Sequence, residues 1–276
     1  MRNYLKFSCL TQCKNLKRQH LRSALIFLSY SSTMTKHRLA IIGKGLVASA
    51  IAKQAATTYG SVTMVSRSKP LEMDQLPDRV SHVQGNALHP SPFSDVIRSA
   101  DAVVSTVGVI KESKGEDGTF ERLNRDAVVS VAREMVKTQP PNLDRRCLVY
   151  FSAANAPPGF LLDPRYINTK REAEEALLSN EFKDKLRVVI VRPGIIYSMT
   201  QRKFMLPIAV ETMLVSALLR PFRHHLPDAM QFMADKPLSD DIVSMAVLEA
   251  IKKPDVHGII GVDEIQELSN LWRKRQ

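Results

Sequence analysis

Tyr166 and Lys170 stand four residues apart in the segment RYINTKREAE (165–174). On a helix that spacing puts them one turn apart on the same face. An ammonium beside a phenol favours the phenolate, so such a pair can act as base or acid toward a substrate oxygen. Ser152 closes the run LVYFS fourteen residues before Tyr166, and its hydroxyl could hold a reacting carbonyl. Asn124, inside TFERLNRDAVVSVAREMVKT (119–138), is a candidate for relaying protons through water. Taken alone it reads equally as a capping or surface residue. Spacing by itself does not separate a catalytic pair from two residues of an amphipathic helix. A cofactor site and a pocket must be found around them.

The elements that would position these residues alternate along the chain. Strands are predicted at 38–43, 61–66, 79–85, 101–108, 146–154 and 186–194, and helices at 46–60, 92–100, 119–138 and 165–180. Gly60 reads as the stop of the first helix. Val/Ile-rich strands separated by helices imply a parallel sheet covered on both faces. The predicted fold is a doubly wound, Rossmann-like α/β sheet, with ligands outside the carboxyl ends of the strands. Beyond Gly194 the rhythm changes to an apolar helix, then PLSDDIVSMAVLEAIKKP, the strand HGIIGV and a last short helix. This part is predicted as a smaller substrate-side lobe, from about 195, of one domain over 37–276. The apolar stretch FMLPIAVETMLVSALL (204–219) reads first as a core or pocket-lining helix. With Arg202 and Lys203 before it and Arg220 and Arg223 after, it also reads as a surface for a membrane or a membrane-bound partner. The charged run REAEEALLSNEFKDK reads as a solvated helix face.

The cofactor signal lies in IIGKGLVASA. Gly43, Gly45 and Ala48 form G-x-G-x-x-A between the first strand and the helix that Leu46 opens. Gly43 would allow the tight turn, Gly45 close backbone approach to a pyrophosphate, and Ala48 close helix–strand packing. The second strand ends in VSRS, with Ser66 and Arg67 where an NAD site usually has Asp or Glu. A guanidinium beside hydroxyls suits a 2′-phosphate, so NADP(H) is expected over NAD(H), the alternative being a solvent-facing arginine. Asn86, in GNA, reads as an adenine contact or as a turn residue. STVG (105–108) puts Thr106 and Gly108 where a cofactor would lie against backbone.

The chain has 276 residues, 44% of them hydrophobic, and a net charge of +11. Residues 1–36 hold seven of the 39 Lys and Arg and no acid, and the first acid is Glu72; the rest carries 32 basic against 28 acidic residues. Such a basic, Ser-containing, acid-free stretch fits a mitochondrial presequence, with a basic tail or a secretory signal as alternatives. Cleavage is expected between Arg22 and Lys36, and a start at Met34 would remove the address. No nucleic-acid partner is expected, because the charge excess sits in that segment. Cys147 stands alone in the body, so neither a disulfide framework nor a structural metal is expected.

Taken together, G-x-G-x-x-A, the strand-end serine, Y-x-x-x-K and the strand ending VRPG resemble the short-chain dehydrogenase/reductase superfamily over about residues 37–265. The resemblance is to its atypical, epimerase-like mitochondrial group. Members include a dehydrogenase-like accessory subunit of respiratory complex I and an accessory protein of ubiquinone (coenzyme Q) biosynthesis. The segments YINTKREAEEALL and PLSDDIVSMAVLEAIKKPDVHGIIGVDEI are similar to the latter. The resemblance implies hydride chemistry carried by Tyr166, Lys170 and Ser152. It also implies a place in the ubiquinone-biosynthesis complex on the matrix face of the inner membrane, as oxidoreductase or regulatory component. The complex I role, structural and non-catalytic, is the alternative. Ala48 departs mildly from the family's third glycine.

Overall fold

Short runs of Val, Ile and Ala with no polar face become strands buried on both sides. The computed structural model describes residues 37–70, 73–140, 145–155, 162–198, 206–226, 231 and 233–275; residues 1–36, with the predicted presequence, lie outside the described residues. Strands β1 (Arg38–Ile42), β2 (Ser61–Ser66), β3 (Val80–Gln84), β4 (Ala102–Ser105), β5 (Arg146–Phe151), β6 (Leu186–Val191) and β9 (Gly258–Ile260) form one sheet in the order β3-β2-β1-β4-β5-β6-β9. Every pairing in it is parallel. The register aligns Ile42 with Val65 and Ser105, and Phe151 with Val191. Gly43, Ser66, Thr106, Ser152 and Arg192 therefore all emerge on one rim, at the carboxyl ends.

Residues alternate between the two faces, as the period of a strand requires. Leu39 and Ile41 meet α1 (Leu46–Ala55), α6 (Asp240–Lys252) and α7 (Val262–Lys274), in a cluster with Ile51, Val243, Val247, Ile265 and Trp272. Ala40 and Ile42 meet α2 (Ser94–Ser99), α3 (Ala127–Lys137) and α4 (Pro164–Leu178), through Ile97, Val128, Val131 and Leu177. The result is the three-layer arrangement that fully apolar parallel strands demand.

Several elements differ from expectation. The first helix ends at Ala55 rather than running to Gly60. Thr58 and Tyr59 return their N–H groups to Ala55 O, and Gly60 N–H is drawn to His37 O at 2.9 Å. The helix predicted over 119–138 starts as a π-helical segment, Glu121–Asp126, before α3 proper. Beyond Gly194 the chain divides between two places. Strand β7 (Ile196–Tyr197) pairs with β8 (Leu238–Ser239) at the rim, and α5 (Leu206–Leu219) lies between them in sequence. From Asp240 onward the chain rejoins the main layers: α6 and α7 cover the sheet and β9 extends it. The last helix is thirteen residues long rather than short. Helix α5 is not a core helix, since Leu214 is 70% and Leu218 73% exposed.

Candidate active site

β1 runs into Gly43 at φ +135°, and a Cβ there would stand 2.1 Å from Thr106 Oγ1. Gly43 N–H donates to Val65 O at 2.8 Å and Thr106 N–H to Ile42 O at 2.9 Å, drawing the loop across three strand ends. Gly45 caps α1 with no side-chain acceptor, and the first turn holds no acid. A Cβ on Gly45 would meet nothing within 4 Å, so the space over this helix end is open. An uncapped helix N-terminus under open space is a seat for an anion. Leu46 opens α1 directly after the loop, and Ala48 is fully buried in the core.

A cleft of about 400 Å³ opens there, lined by Gly43, Gly45, Ser66, Arg67, Asn86, Thr106 and Gly108. No carboxylate lines it among the described residues. Ser66 turns its hydroxyl toward the loop, donating to Ser68 O at 2.7 Å and lying 3.0 Å from His82 Nε2. Arg67 is exposed at the mouth. Lys44 joins it, with Nζ hydrogen-bonded to Ser68 Oγ. Asn86 lines the cleft and also serves its turn, accepting Leu88 N–H at 3.2 Å.

A second cavity of about 290 Å³ shares Thr106, Gly108 and Val109 with the cleft and adds Ser152, Tyr166 and Lys170. Asp163 caps α4 by accepting Arg165 N–H at 2.9 Å, which sets the turn that carries Tyr166. Lys170 Nζ donates to Phe151 O at 2.8 Å and lies 4.9 Å from the centre of the Tyr150 ring. Burial pushes its ammonium down to about 7, against the pull of Glu174. Burial raises the Tyr166 phenol above its ordinary 10.0, and the cation that opposes this is Arg171. The shift runs opposite to the lowering expected from Lys170, whose own ammonium is disfavoured by the same burial.

Asn124 is fully buried, neither a surface nor a capping residue. Its Oδ1 accepts Val109 N–H at 2.8 Å and its Nδ2 donates to Val109 O at 3.1 Å. Its own carbonyl accepts Tyr150 OH at 2.7 Å. The π-helical winding presents Asn124 to the loop after β4, and its side-chain amide pins that loop at Val109. Gly108 makes this possible: a Cβ there would lie 2.8 Å from Lys170 Nζ and 2.9 Å from Asn124 Oδ1.

Ser152 lines the cavity, but its hydroxyl is engaged elsewhere. It accepts from Arg171 at 3.2 Å and hydrogen-bonds Glu174. Arg171 also binds Glu174 Oε1 and Ala154 O, each at 2.6 Å. Arg192 reaches Glu174 through both Nε and Nη2. Glu174 is 3% exposed, so the run read as a solvated face has a buried carboxylate in its first turn. Sequence reading missed Lys44, Arg171, Glu174 and Arg192. The signals were present: a cation between the loop's two glycines, an acid one further turn along the Tyr166–Lys170 face, and the arginine of VRPG.

Comparison with known proteins agrees with this geometry. A family profile described as NAD(P)H-binding matches residues 43–209, more than half of the chain. An uncharacterized chloroplastic protein of Arabidopsis thaliana is 32% identical over 243 residues, covering 84% of this chain and 76% of its own. MIOREX complex component 2 of Saccharomyces cerevisiae is 25% identical over 268 residues, covering 81% and 96% respectively. Among solved structures, a short-chain dehydrogenase/reductase from Serratia marcescens matches with a TM-score of 0.60 at 12% identity, over 84% of this chain and 99% of that one. The Bordetella bronchiseptica enzyme WbmF in complex with NAD+ and UDP matches at 0.58 and 13%, over 89% and 80%. At such identities the structural likeness speaks for the fold.

Proposed function

The chain belongs to the NAD(P)H-binding family with a short-chain dehydrogenase/reductase-like Rossmann fold, and on that premise we propose that it holds NADP(H) as a component of the mitochondrial ubiquinone-biosynthesis machinery. The observation that carries the nucleotide reading is the open, uncapped helix end under Gly45, in a cleft with Lys44 and Arg67 at its mouth and no carboxylate among the described residues that line it. Two cations beside the end of β2, with no carboxylate among the described residues that line the cleft, favour a 2′-phosphate over a bare ribose. Bound NADP(H) would supply a hydride donor or acceptor beside Tyr166. The similarity of YINTKREAEEALL and of the C-terminal segment to the ubiquinone accessory protein supports the pathway. A yeast relative named as a complex component supports membership of an assembly. The acid-free residues 1–36 and a chloroplastic relative support an organellar location.

In this reading function requires occupancy by the nucleotide rather than turnover. Ser152 is held by Arg171 and Glu174, Lys170 is bonded to Phe151 O, and the Tyr166 phenol is harder to ionise than usual. The second reading is an NADP-dependent oxidoreductase using Tyr166, Lys170 and Ser152. It is favoured by the wall that their cavity shares with the cleft. Gly45→Asp and Tyr166→Phe, each expressed in cells lacking the protein, separate the readings. Ubiquinone should fall with Gly45→Asp and hold with Tyr166→Phe. Loss with Tyr166→Phe at normal protein level would select the oxidoreductase. Normal ubiquinone with failing complex I would select the structural role there.

A further inference from the structure

We propose that α5 and the 3₁₀ turn after it, Arg220–His225, form a docking surface for a lipid bilayer with anionic head groups, which places the Tyr166 cavity beside the lipid. Leu214, Leu218 and Phe222 are 70%, 73% and 59% exposed. They recur every fourth residue, so they line one side of the helix and its continuation. In LPIAVETMLVSALL the polar residues are Glu211, Thr212 and Ser216 alone, and a helix apolar nearly all round ordinarily lies in a core. Isolated exposed leucines need no explanation, whereas an aligned stripe does.

The helix has fourteen residues, about 21 Å at ~1.5 Å per residue, short of a bilayer's apolar thickness. No described helix is long and apolar enough to cross a membrane. The geometry suits a helix lying along the interface. Charge selects the occupant. The sequence 201–225 contains Arg202, Lys203, Arg220 and Arg223 with Glu211 as its single acid, an excess of cations that remains once the Asp263 paired with Arg220 is counted. A second copy of the chain would bring like charges together, whereas anionic head groups complement them.

The excursion that bears the stripe is rooted at the rim that holds the cavity. The excursion that carries α5 leaves from β7 and returns at β8, which pair with each other, and Ile196 of β7 lines the Tyr166 cavity. Asn155 Nδ2 ties the returning chain to the end of β5 through Asp235 Oδ2 at 2.7 Å. Arg220 is paired with Asp263, just past the carboxyl end of β9. Ile110, 69% exposed, and Val109 give the cavity an apolar lip. The substrate class that fits is a neutral, lipid-dissolved molecule. This last point rests on the site reading above; the docking surface itself does not.

The test is flotation of the purified full chain with vesicles of phosphatidylcholine, and of phosphatidylcholine mixed with cardiolipin, comparing the natural chain with the Leu214→Glu/Leu218→Glu variant. The natural chain should float with the cardiolipin vesicles and release at high salt. The double variant should lose roughly a hundredfold in affinity, from two leucines withdrawn from lipid. Its NADPH titration should be unchanged, which shows that it is folded. Vesicle binding that persists in the variant, as binding through residues 1–36 alone would, overturns the proposal. So does a natural chain that floats with neither vesicle, or a stripe whose substitution only converts a dimer to a monomer. Failure of nucleotide binding would leave vesicle binding intact, so the two failures are distinguishable.

Discussion

Replacing Lys170 by methionine should stabilise this protein, and by an amount that depends on pH. Lys170 is 4% exposed, and burial carries its ammonium from 10.5 down to about 7. At ~1.4 kcal/mol per tenfold change in proton affinity, holding that proton inside the fold is disfavoured by about 4–5 kcal/mol. The unfolded lysine keeps its proton up to 10.5 and the folded one releases it above about 7. Between those values unfolding takes up a proton, so stability rises with pH by ~1.4 kcal/mol per pH unit, and it is lowest below pH 7. Methionine keeps the length and removes the titration. It forfeits the 2.8 Å hydrogen bond to Phe151 O, which contributes ~1 kcal/mol. The expected gain is roughly 3 kcal/mol at pH 7, shrinking by roughly 2–3 kcal/mol at pH 9. Urea unfolding of both forms at the two pH values measures it. The single tryptophan, Trp272, is 2% exposed and reports loss of the core. An equal gain at both pH values, or a loss at both, would refute the assignment of a buried lysine titrating near 7.

Two further substitutions probe the same rim. Gly108→Ala should cost about 2 kcal/mol, lowering Tm by roughly 4–8 °C, because the new methyl meets Lys170 Nζ at 2.8 Å and the pinned Asn124 Oδ1 at 2.9 Å; a melting point unchanged within error would show the loop to be looser than described. Glu174→Gln should cost about 2 kcal/mol at neutral pH. Burial opposes the Glu174 charge, but the hydrogen bonds from Arg192 and Ser152 and the charges of Arg171 and Arg192 outweigh it and leave its pKa below 4.5. The carboxylate's contribution is therefore present above 4.5 and disappears as pH falls through the folded value, where the two proteins should converge on the acid limb of a stability–pH curve.

The sheet was legible because apolar strands separated by helices have few solutions, and the G-x-G-x-x-A loop because Gly43 meets a steric demand that few other residues satisfy while Gly45 leaves the helix end bare. The residues named from sequence for the cleft do line it, save Leu46 and Ala48. The state of the second cavity was not legible. Tyr166, Lys170 and Ser152 announce their types and spacing, but what each hydroxyl or ammonium bonds depends on contacts distant in sequence. Arg192 meets Glu174 eighteen residues away, and Val109 meets Asn124 fifteen away. The π-helical start before α3 carries Asn124 into the interior, where its partner Val109 is distant in sequence, so no local propensity announces it. Helix α5 was ambiguous because a uniformly apolar helix carries no periodic pattern to say which side is covered.

We propose above all that the cleft over Gly45 holds NADP(H). Fluorescence titration of the purified protein with NADPH and NADH tests it most directly. NADPH should bind at least roughly tenfold more tightly than NADH, with the difference erased by Lys44→Ala/Arg67→Ala. Absence of binding by either nucleotide, or tighter binding of NADH, would contradict it.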